Sequence, residues 1–374
     1  MKPKVMIVIP SLVKTGVFEV VKGIIKNNNG SVEFYLVSLR EREADESEFI
    51  KSILGQDHLF ILPGSKLFSI KKILTLNKVI NSISPDIIHF HSFVADVFSL
   101  WVKSKKKPVL ISTAHNMGKE DFVPMFGKVT GTLMAIVQLF IYKKLDYLVG
   151  VSRTVTNHYK NLHINNAVTI LNGTEIDLTA PQEKCLSGLV QPIGIYCGNF
   201  EKRKNVEFLF DAFSEIKLPD SAPSLIVLGS DRTDSSVLET YKKRYGNTSI
   251  QFFGRVDNVV PFLKKADYFI SPSKSEGLPM AAIEAMGCNL PLILSNIPQH
   301  REMKLERDED ICFFDPTNPD SLKNTLISFI KNWNPRHISS NKKVYNNYFT
   351  SKQMANGYIK LYLGCLSKDN YSDI

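Results

Sequence analysis

The feature that most constrains this chain is a series of short apolar runs that do not alternate with polar residues. Val5–Ile9, Val32–Val37, Leu59–Leu62, Asp86–Phe90, Val109–Ser112, Tyr147–Val151 and Val168–Leu171 recur at helix-length intervals. The rhythm restarts with Ile193–Cys197, Leu225–Leu228, Ile250–Phe253, Tyr268–Ile270, Pro291–Leu294 and Ile311–Phe314. A strand with one wet face alternates apolar and polar side chains. Continuous apolar strands separated by helices therefore predict parallel sheets covered on both faces. At 374 residues the chain exceeds what one core usually supports. The expected fold class is α/β, with two Rossmann-like parallel-sheet domains in series: residues 1–178 and 192–350. Between them the rhythm fails over 179–191, where Pro181 and mixed polar residues predict a linker. The segment 351–374 is expected to carry an amphipathic helix over Ser351–Leu366.

Charge is unevenly spread. Residues 1–172 hold 22 basic and 13 acidic side chains, and residues 173–374 hold 24 of each. The whole excess of +9 lies in the first half, including Lys103, Lys105, Lys106, Lys107, Lys143 and Lys144. A one-sided basic surface suits anionic lipid or nucleic acid. The five cysteines show no Cys-x-x-Cys spacing, and the apolar start MKPKVMIVIPSL is too short for a signal peptide. Both point to a reduced, cytoplasmic setting. The longest apolar run, Val129–Tyr142, has 14 residues against the ~20 a bilayer span needs. It is expected to be a buried helix. The alternative is an interfacial helix with Lys143 and Lys144 at the lipid head groups.

Residues Asp267–Glu302 carry most of the functional signal. A short strand stops at Ser-Pro-Ser, Glu276-Gly277 follows, and Pro279 is expected at the first helical position. Met280–Met286 reads as a helix closed by Gly287, before a further strand. This unit sets a helix N-terminus beside the carboxyl end of a parallel strand, which suits a phosphate held by the N–H groups of Gly277, Leu278 and Met280. Glu276 precedes the helix and Glu284 lies roughly 7–8 Å along it at ~1.5 Å per residue. A carboxylate inside an apolar helix calls for a dedicated partner, and a ribose diol fits one. The plainer alternative is a buried helix with one snorkelling Glu.

The run SEGLPMAAIEAM resembles the Glu-x7-Glu signature of retaining glycosyltransferases of family 4, which have the GT-B fold. The resemblance implies two domains facing across a cleft, a C-terminal helix crossing back to the first, Glu276 beside the donor sugar, and Glu284 on the ribose of a nucleotide sugar. His115, just beyond the strand Val109–Ser112, stands where strand ends hold ligands, and the resemblance gives it the donor sugar. His89 and His91 are candidates for the acceptor side. Gly198-Asn-Phe-Glu-Lys-Arg-Lys204 is similar to a family segment whose Arg and Lys neutralise the diphosphate. Lys204 matches the Lys, Asn199 stands where the Arg is expected, and Arg203 or Lys202 is left to supply the second charge. The alternative is a solvated basic loop. Gly16 matches one of two family glycines, with Thr15 in place of the other. Gly254 and Val256 match a turn whose backbone reads the base, Asn172-Gly173-Thr174 reads as a tight architectural turn, and Glu302 as a residue holding the loop from Asn296.

Asp308-Glu309-Asp310 has the form of a metal-binding Asp-x-Asp but sits in a charged run, so no metal or cofactor is expected. The catalytic candidates are Glu276 and His115. The expected activity is transfer of a hexose, from UDP by preference, to a lipid-linked or saccharide acceptor in bacterial surface polysaccharide assembly. The basic first domain would lie peripherally on the inner face of the plasma membrane. An epimerase or phosphorylase of the same architecture would use the same Glu pair. A nucleic-acid-binding protein would leave that pair unexplained, and no Gly-x-Gly-x-x-Gly follows the first strand for NAD(P).

Overall fold

The structure, a computed structural model, describes residues 2–41, 46–180, 188–216, 223–231, 234, 236–306, 310–334 and 339–367. The central part of the expected linker, 181–187 with Cys185, lies outside them, as do Asp308 and Glu309. The chain divides into two compact units, Met1–Thr174 with Tyr348–Ile374, and Glu175–Asn347.

The first unit is a seven-stranded sheet: β1 Lys4–Ile9, β2 Glu33–Ser38, β3 Leu59–Ile61, β4 Ile87–His91, β5 Val109–Ala114, β6 Tyr147–Gly150 and β7 Ala167–Thr169. Every pairing is parallel, in the order β3-β2-β1-β4-β5-β6-β7. The second unit has β8 Ile193–Cys197, β9 Ser224–Leu228, β10 Ile250–Gly254, β11 Tyr268–Ser271, β12 Leu292–Ser295 and β13 Ile311–Phe314. They run parallel in the order β10-β9-β8-β11-β12-β13. Each expected run is a strand, with ends shifted by at most two residues. In both sheets the order reverses once, between β1 and β4 and between β8 and β11, and such a reversal leaves a crevice at the strands' carboxyl ends.

The C-terminal helix Ser351–Ser367 belongs to the first unit. Met354, Tyr358, Ile359 and Tyr362 join the core formed by Val5, Ile7, Phe18, Val21 and Ile24. Each such side chain contributes about 1.5–3 kcal/mol on burial. Gly23 lets the helices meet, since a Cβ there would lie 2.9 Å from Met354 Cε. Asn172-Gly173-Thr174 is architecture of a different kind from the turn expected. Gly173 has no left-handed φ; it is needed because a Cβ would lie 2.2 Å from the Thr350 carbonyl, where Thr174 and Thr350 form a bridge.

The Val129–Tyr142 run departs from its expected burial. It forms the helix Lys128–Tyr142, packed against the helix Gly118–Phe126. Its inner face carries Gly131, Gln138, Ile141 and Tyr142, while Val129, Leu133, Ile136 and Phe140 are exposed. The polar side chains turn inward because a buried carboxyl waits there. Tyr142 donates to Asp96 Oδ2 (3.3 Å), Ser112 donates to Asp96 Oδ1 (2.6 Å), and Gln138 donates to Tyr142 (2.9 Å). Burial, only partly offset by those hydrogen bonds, raises the Asp96 pKa to about 8.

Candidate functional site

In the second unit the reversal between β8 and β11 places two loops side by side. The loop after β8 carries Gly198 and Asn199, then a short turn of 3-10 helix over Lys202–Lys204. Asn205, in the left-handed region at φ 54°, turns the chain into the helix Val206–Ser214. The loop after β11 carries Ser273, Ser275, Glu276, Gly277 and Leu278 and enters the helix Met280–Gly287. Lys274 N donates to the Arg203 carbonyl at 2.8 Å, joining the two loops through the backbone.

Glu276 is the centre of this site and is only 5% exposed. Lys204 Nζ donates to its Oε1 at 2.6 Å, Arg203 Nη1 to its Oε2 at 3.0 Å, and Ser273 Oγ to Oε1 at 2.6 Å. Arg203 also contacts the Ser275 carbonyl (3.3 Å) and pairs with Glu201 at 3.0 Å. Burial alone would raise the Glu276 pKa. The charges of Lys204 and Arg203 outweigh it and bring the carboxyl down to about 2. The alternative of a solvated basic loop is not what forms: Lys204 and Arg203 are a mostly buried cation pair locked onto a carboxylate. Arg203, not Lys202, supplies the second charge at Glu276.

Pro279 caps the following helix, one position earlier than expected, with φ −75° and ψ 101°. Its carbonyl accepts from Ala282 and Ile283, and the first helical N–H groups have no intrahelical partner. Gly287 is the last helical residue. The left-handed terminator is Asn289, at φ 67°, with Leu290 N bonding the Ala285 carbonyl and Asn289 N that of Met286. Gly287 is required for packing, because a Cβ would lie 2.7 Å from Ile176. The helix is buried except along Met280, Ala281 and Glu284. Glu284 therefore stands on the accessible edge, one turn beyond Met280. Burial and then the Glu284 charge raise the thiols of Cys197, at the end of β8, and Cys288, the latter to about 12.

Four contributors were not singled out from sequence: Ser273, Ser295, His300 and Gly229. Ser273 holds Glu276 directly. Ser295, at the end of β12, donates to the Ser273 carbonyl and bonds His300 Nδ1 at 3.0 Å. His300 is fully buried, its pKa lowered to about 4 by burial. It and the Arg301–Asn296 bond hold the loop from Asn296. The Ser-Pro-Ser motif was the available signal for Ser273. Gly229 is the fourth, at φ 128°, where a Cβ would lie 1.9 Å from the Gly198 carbonyl. Gly254 (φ 71°) and Val256 lie at the end of β10, two strands from β8, or ~10 Å at ~4.8 Å per strand.

The first unit holds the remaining candidates. His115, beyond β5, shares a hydrogen bond with His91 (Nε2 to Nδ1, 3.1 Å), and burial lowers its pKa to about 4. His91 Nε2 is buried with no hydrogen-bond partner among the described residues. His89 is interior, bonded to Tyr362 (2.7 Å) and Thr113 (2.8 Å), so it anchors the C-terminal helix and does not line an acceptor site. Gly16 begins the helix Gly16–Lys26, capped by Thr15; a Cβ at Gly16 would meet nothing within 4 Å. Among the described residues no group of three or more His, Cys, Asp or Glu could hold a metal ion, and no helix is long and apolar enough to cross a membrane.

Paired doubly wound sheets with a charged cluster at a switch point define an α/β protein of two Rossmann-like halves. The sequence models described as Glycosyltransferase Family 4 and Glycosyl transferases group 1 match residues 13–178 and 184–345. The chain belongs to the family 4 glycosyltransferases of the GT-B fold. It is 26% identical over 370 residues to the O-antigen biosynthesis glycosyltransferase WclY of Escherichia coli, covering 96% of this chain and 98% of that one. Among solved structures it resembles sucrose-phosphate synthase from Thermosynechococcus elongatus (TM-score 0.79, 16% identity, 98% of this chain and 100% of that one). It also resembles Anabaena Alr3699/HepE in complex with UDP and glucose (TM-score 0.75, 14% identity, 98% and 100%).

Proposed function

We propose that this glycosyltransferase moves a hexose from a nucleoside-diphosphate sugar, UDP-sugar favoured, to a lipid-linked or saccharide acceptor, with retention of anomeric configuration. The process served is assembly of a bacterial surface polysaccharide, as the name of WclY says of that relative. A structural neighbour that binds UDP and glucose supports the donor class. The observation that carries the reading is Glu276 held by Lys204 and Arg203 directly before a helix N-terminus.

In this reading Glu276 hydrogen-bonds the sugar, and Lys204 with the N–H groups of Gly277, Leu278 and Met280 receives the diphosphate. Glu284 takes the ribose diol, and the backbone around Gly198, Asn199, Gly254 and Val256 frames the nucleotide. In the first unit, His115 is assigned as a neutral imidazole for a sugar hydroxyl, and Gly16 as open backbone. Leaving-group stabilisation by prepositioned donors and alignment of the acceptor hydroxyl would supply the catalysis. No metal enters this scheme, and the protein works from the cytoplasmic side, on the inner face of the membrane.

The test is thermal stabilisation across a panel of nucleotide sugars, repeated with Glu284→Ala. A shift with one donor, lost in the variant, is expected; no shift with any donor would overturn the reading. NMR of the product's anomeric proton tests retention. Activity abolished by a chelator and restored by magnesium or manganese would overturn the metal-free scheme.

A further inference from the structure

The helix Lys128–Tyr142 is built inside out. Val129, Leu133, Ile136 and Phe140 are 85%, 60%, 60% and 50% exposed, while Gln138 and Tyr142 are buried. The four exposed residues follow i, i+4, i+7, i+11, which keeps them within one narrow stripe. The stripe runs roughly 16 Å at ~1.5 Å per residue. At the tip of the hairpin, Met125 and Phe126 extend the same apolar exposure. Gly131 holds the two helices tightly together: a Cβ there would lie 2.5 Å from the Phe122 carbonyl oxygen. The hairpin is therefore a firm wedge and does not fold its apolar side away.

Exposed lysines bracket the stripe. Lys128 precedes it, and Lys143 and Lys144 end it on the same side of the helix. Lys144 Nζ lies 4.3 Å from the Phe140 ring centroid, its stem along the apolar surface. An apolar face edged by cations matches a surface that is apolar inside and anionic at its rim. The excess positive charge of the first 172 residues has the same sign.

We propose that the hairpin Gly118–Tyr142 inserts its outer face into the interfacial zone of an anionic lipid bilayer, lying in the membrane plane, with Lys128, Lys143 and Lys144 at the head groups. This deepens the membrane-facing part of the proposed function and rests on it for the lipid-borne acceptor, though not for its test.

The experiment is flotation of the full chain with vesicles containing phosphatidylglycerol and, separately, with pure phosphatidylcholine vesicles. Partition into the anionic vesicles is expected, falling at least about tenfold in Lys143→Glu/Lys144→Glu. A comparable fall is expected in Leu133→Asp/Ile136→Asp. Both variants should keep the wild-type far-UV circular dichroism and a cooperative melting transition, which shows that they fold. A Leu133→Trp variant should blue-shift its emission on anionic vesicles. Absence of flotation at low salt overturns the proposal. So does a concentration-dependent dimer in sedimentation that Leu133→Asp abolishes, since the stripe would then bind a second copy. Failure of vesicle binding with donor binding intact refutes only the surface; failure of donor binding with flotation intact refutes only the transferase reading.

Discussion

Lys204 Nζ meets Glu276 Oε1 at 2.6 Å, joining the loop after β8 to the loop after β11 across 72 residues of sequence. Arg203 holds the other oxygen and is itself held by Glu201. The two cations are therefore not equivalent. Arg203 is clamped between two carboxylates, which suits fixing Glu276 in place. Lys204 is the cation better suited to turn toward a phosphate.

The first prediction separates these roles. Lys204→Met should weaken UDP binding by about 1.5–3 kcal/mol, roughly 10–150-fold. Arg203→Lys should leave UDP affinity within about threefold, because the clamp does not hold phosphate, while lowering kcat through a loosened Glu276. Calorimetric titration of both variants decides it; equal losses would refute the division of labour.

Acid stability should report on Glu276. Its folded pKa of about 2 lies below the ordinary 4.5, so the native state prefers the ionised form. The associated stability is fully present above pH 4.5 and is lost as pH falls toward 2, an amount on the order of 3 kcal/mol. Urea midpoints through this window should fall steeply in the wild type and more gently in Glu276→Gln, which starts lower because two cations lose their counter-charge.

Asp96 should do the reverse. Its folded pKa of about 8 lies above the ordinary 3.8, so the unfolded chain releases a proton that the native state keeps. Stability at this site therefore declines from about pH 4 to pH 8, by on the order of 5 kcal/mol. Asp96→Asn, whose amide oxygen can accept from Ser112 while its NH2 donates to the Tyr142 oxygen, should abolish the decline and raise Tm at pH 8. A variant less stable than wild type at pH 8 would contradict the assignment.

Glu284→Ala should cost roughly 10–150-fold in UDP affinity if its carboxylate holds the ribose diol. The same variant should bind a 2′,3′-dideoxy nucleotide as the wild type does. Loss of both affinities alike would show that Glu284 acts on the fold and not on the ribose.

Gly229→Ala should be among the most damaging single-methyl changes. A Cβ would lie 1.9 Å from the Gly198 carbonyl, at a φ of 128° that side chains rarely adopt. Destabilisation of about 3 kcal/mol or more is expected, with loss of donor binding as the end of β8 is displaced. A chemical denaturation curve tests the first part directly.

The sheets were legible because burial on both faces of a parallel sheet leaves unbroken apolar strands; the helix Lys128–Tyr142 carries an equally apolar run. That helix was misread as buried because hydrophobicity tells which residues avoid water, not which face the fold covers. Here a buried Asp96 demands polar partners and turns Gln138 and Tyr142 inward. The Glu276–Glu284 spacing was legible because both lie on one local segment. The pairing of Glu276 with Arg203 and Lys204 required the strand order, since β8 and β11 become neighbours only through the reversal of the sheet. Gly229 and His300 left no local signal. One answers to a carbonyl 31 positions earlier in the chain, the other to a serine at a strand end.

The C-terminal helix has a consequence for how the protein is made. Met354, Tyr358 and Tyr362 are wall pieces of a core otherwise built from strands and helices between Val5 and Ile170. On the ribosome that core stays open until Ser351–Ser367 has emerged, after all of Glu175–Asn347 has been synthesised. Against the usual N-to-C order of domain folding, the unit translated second is the first to have its whole chain available.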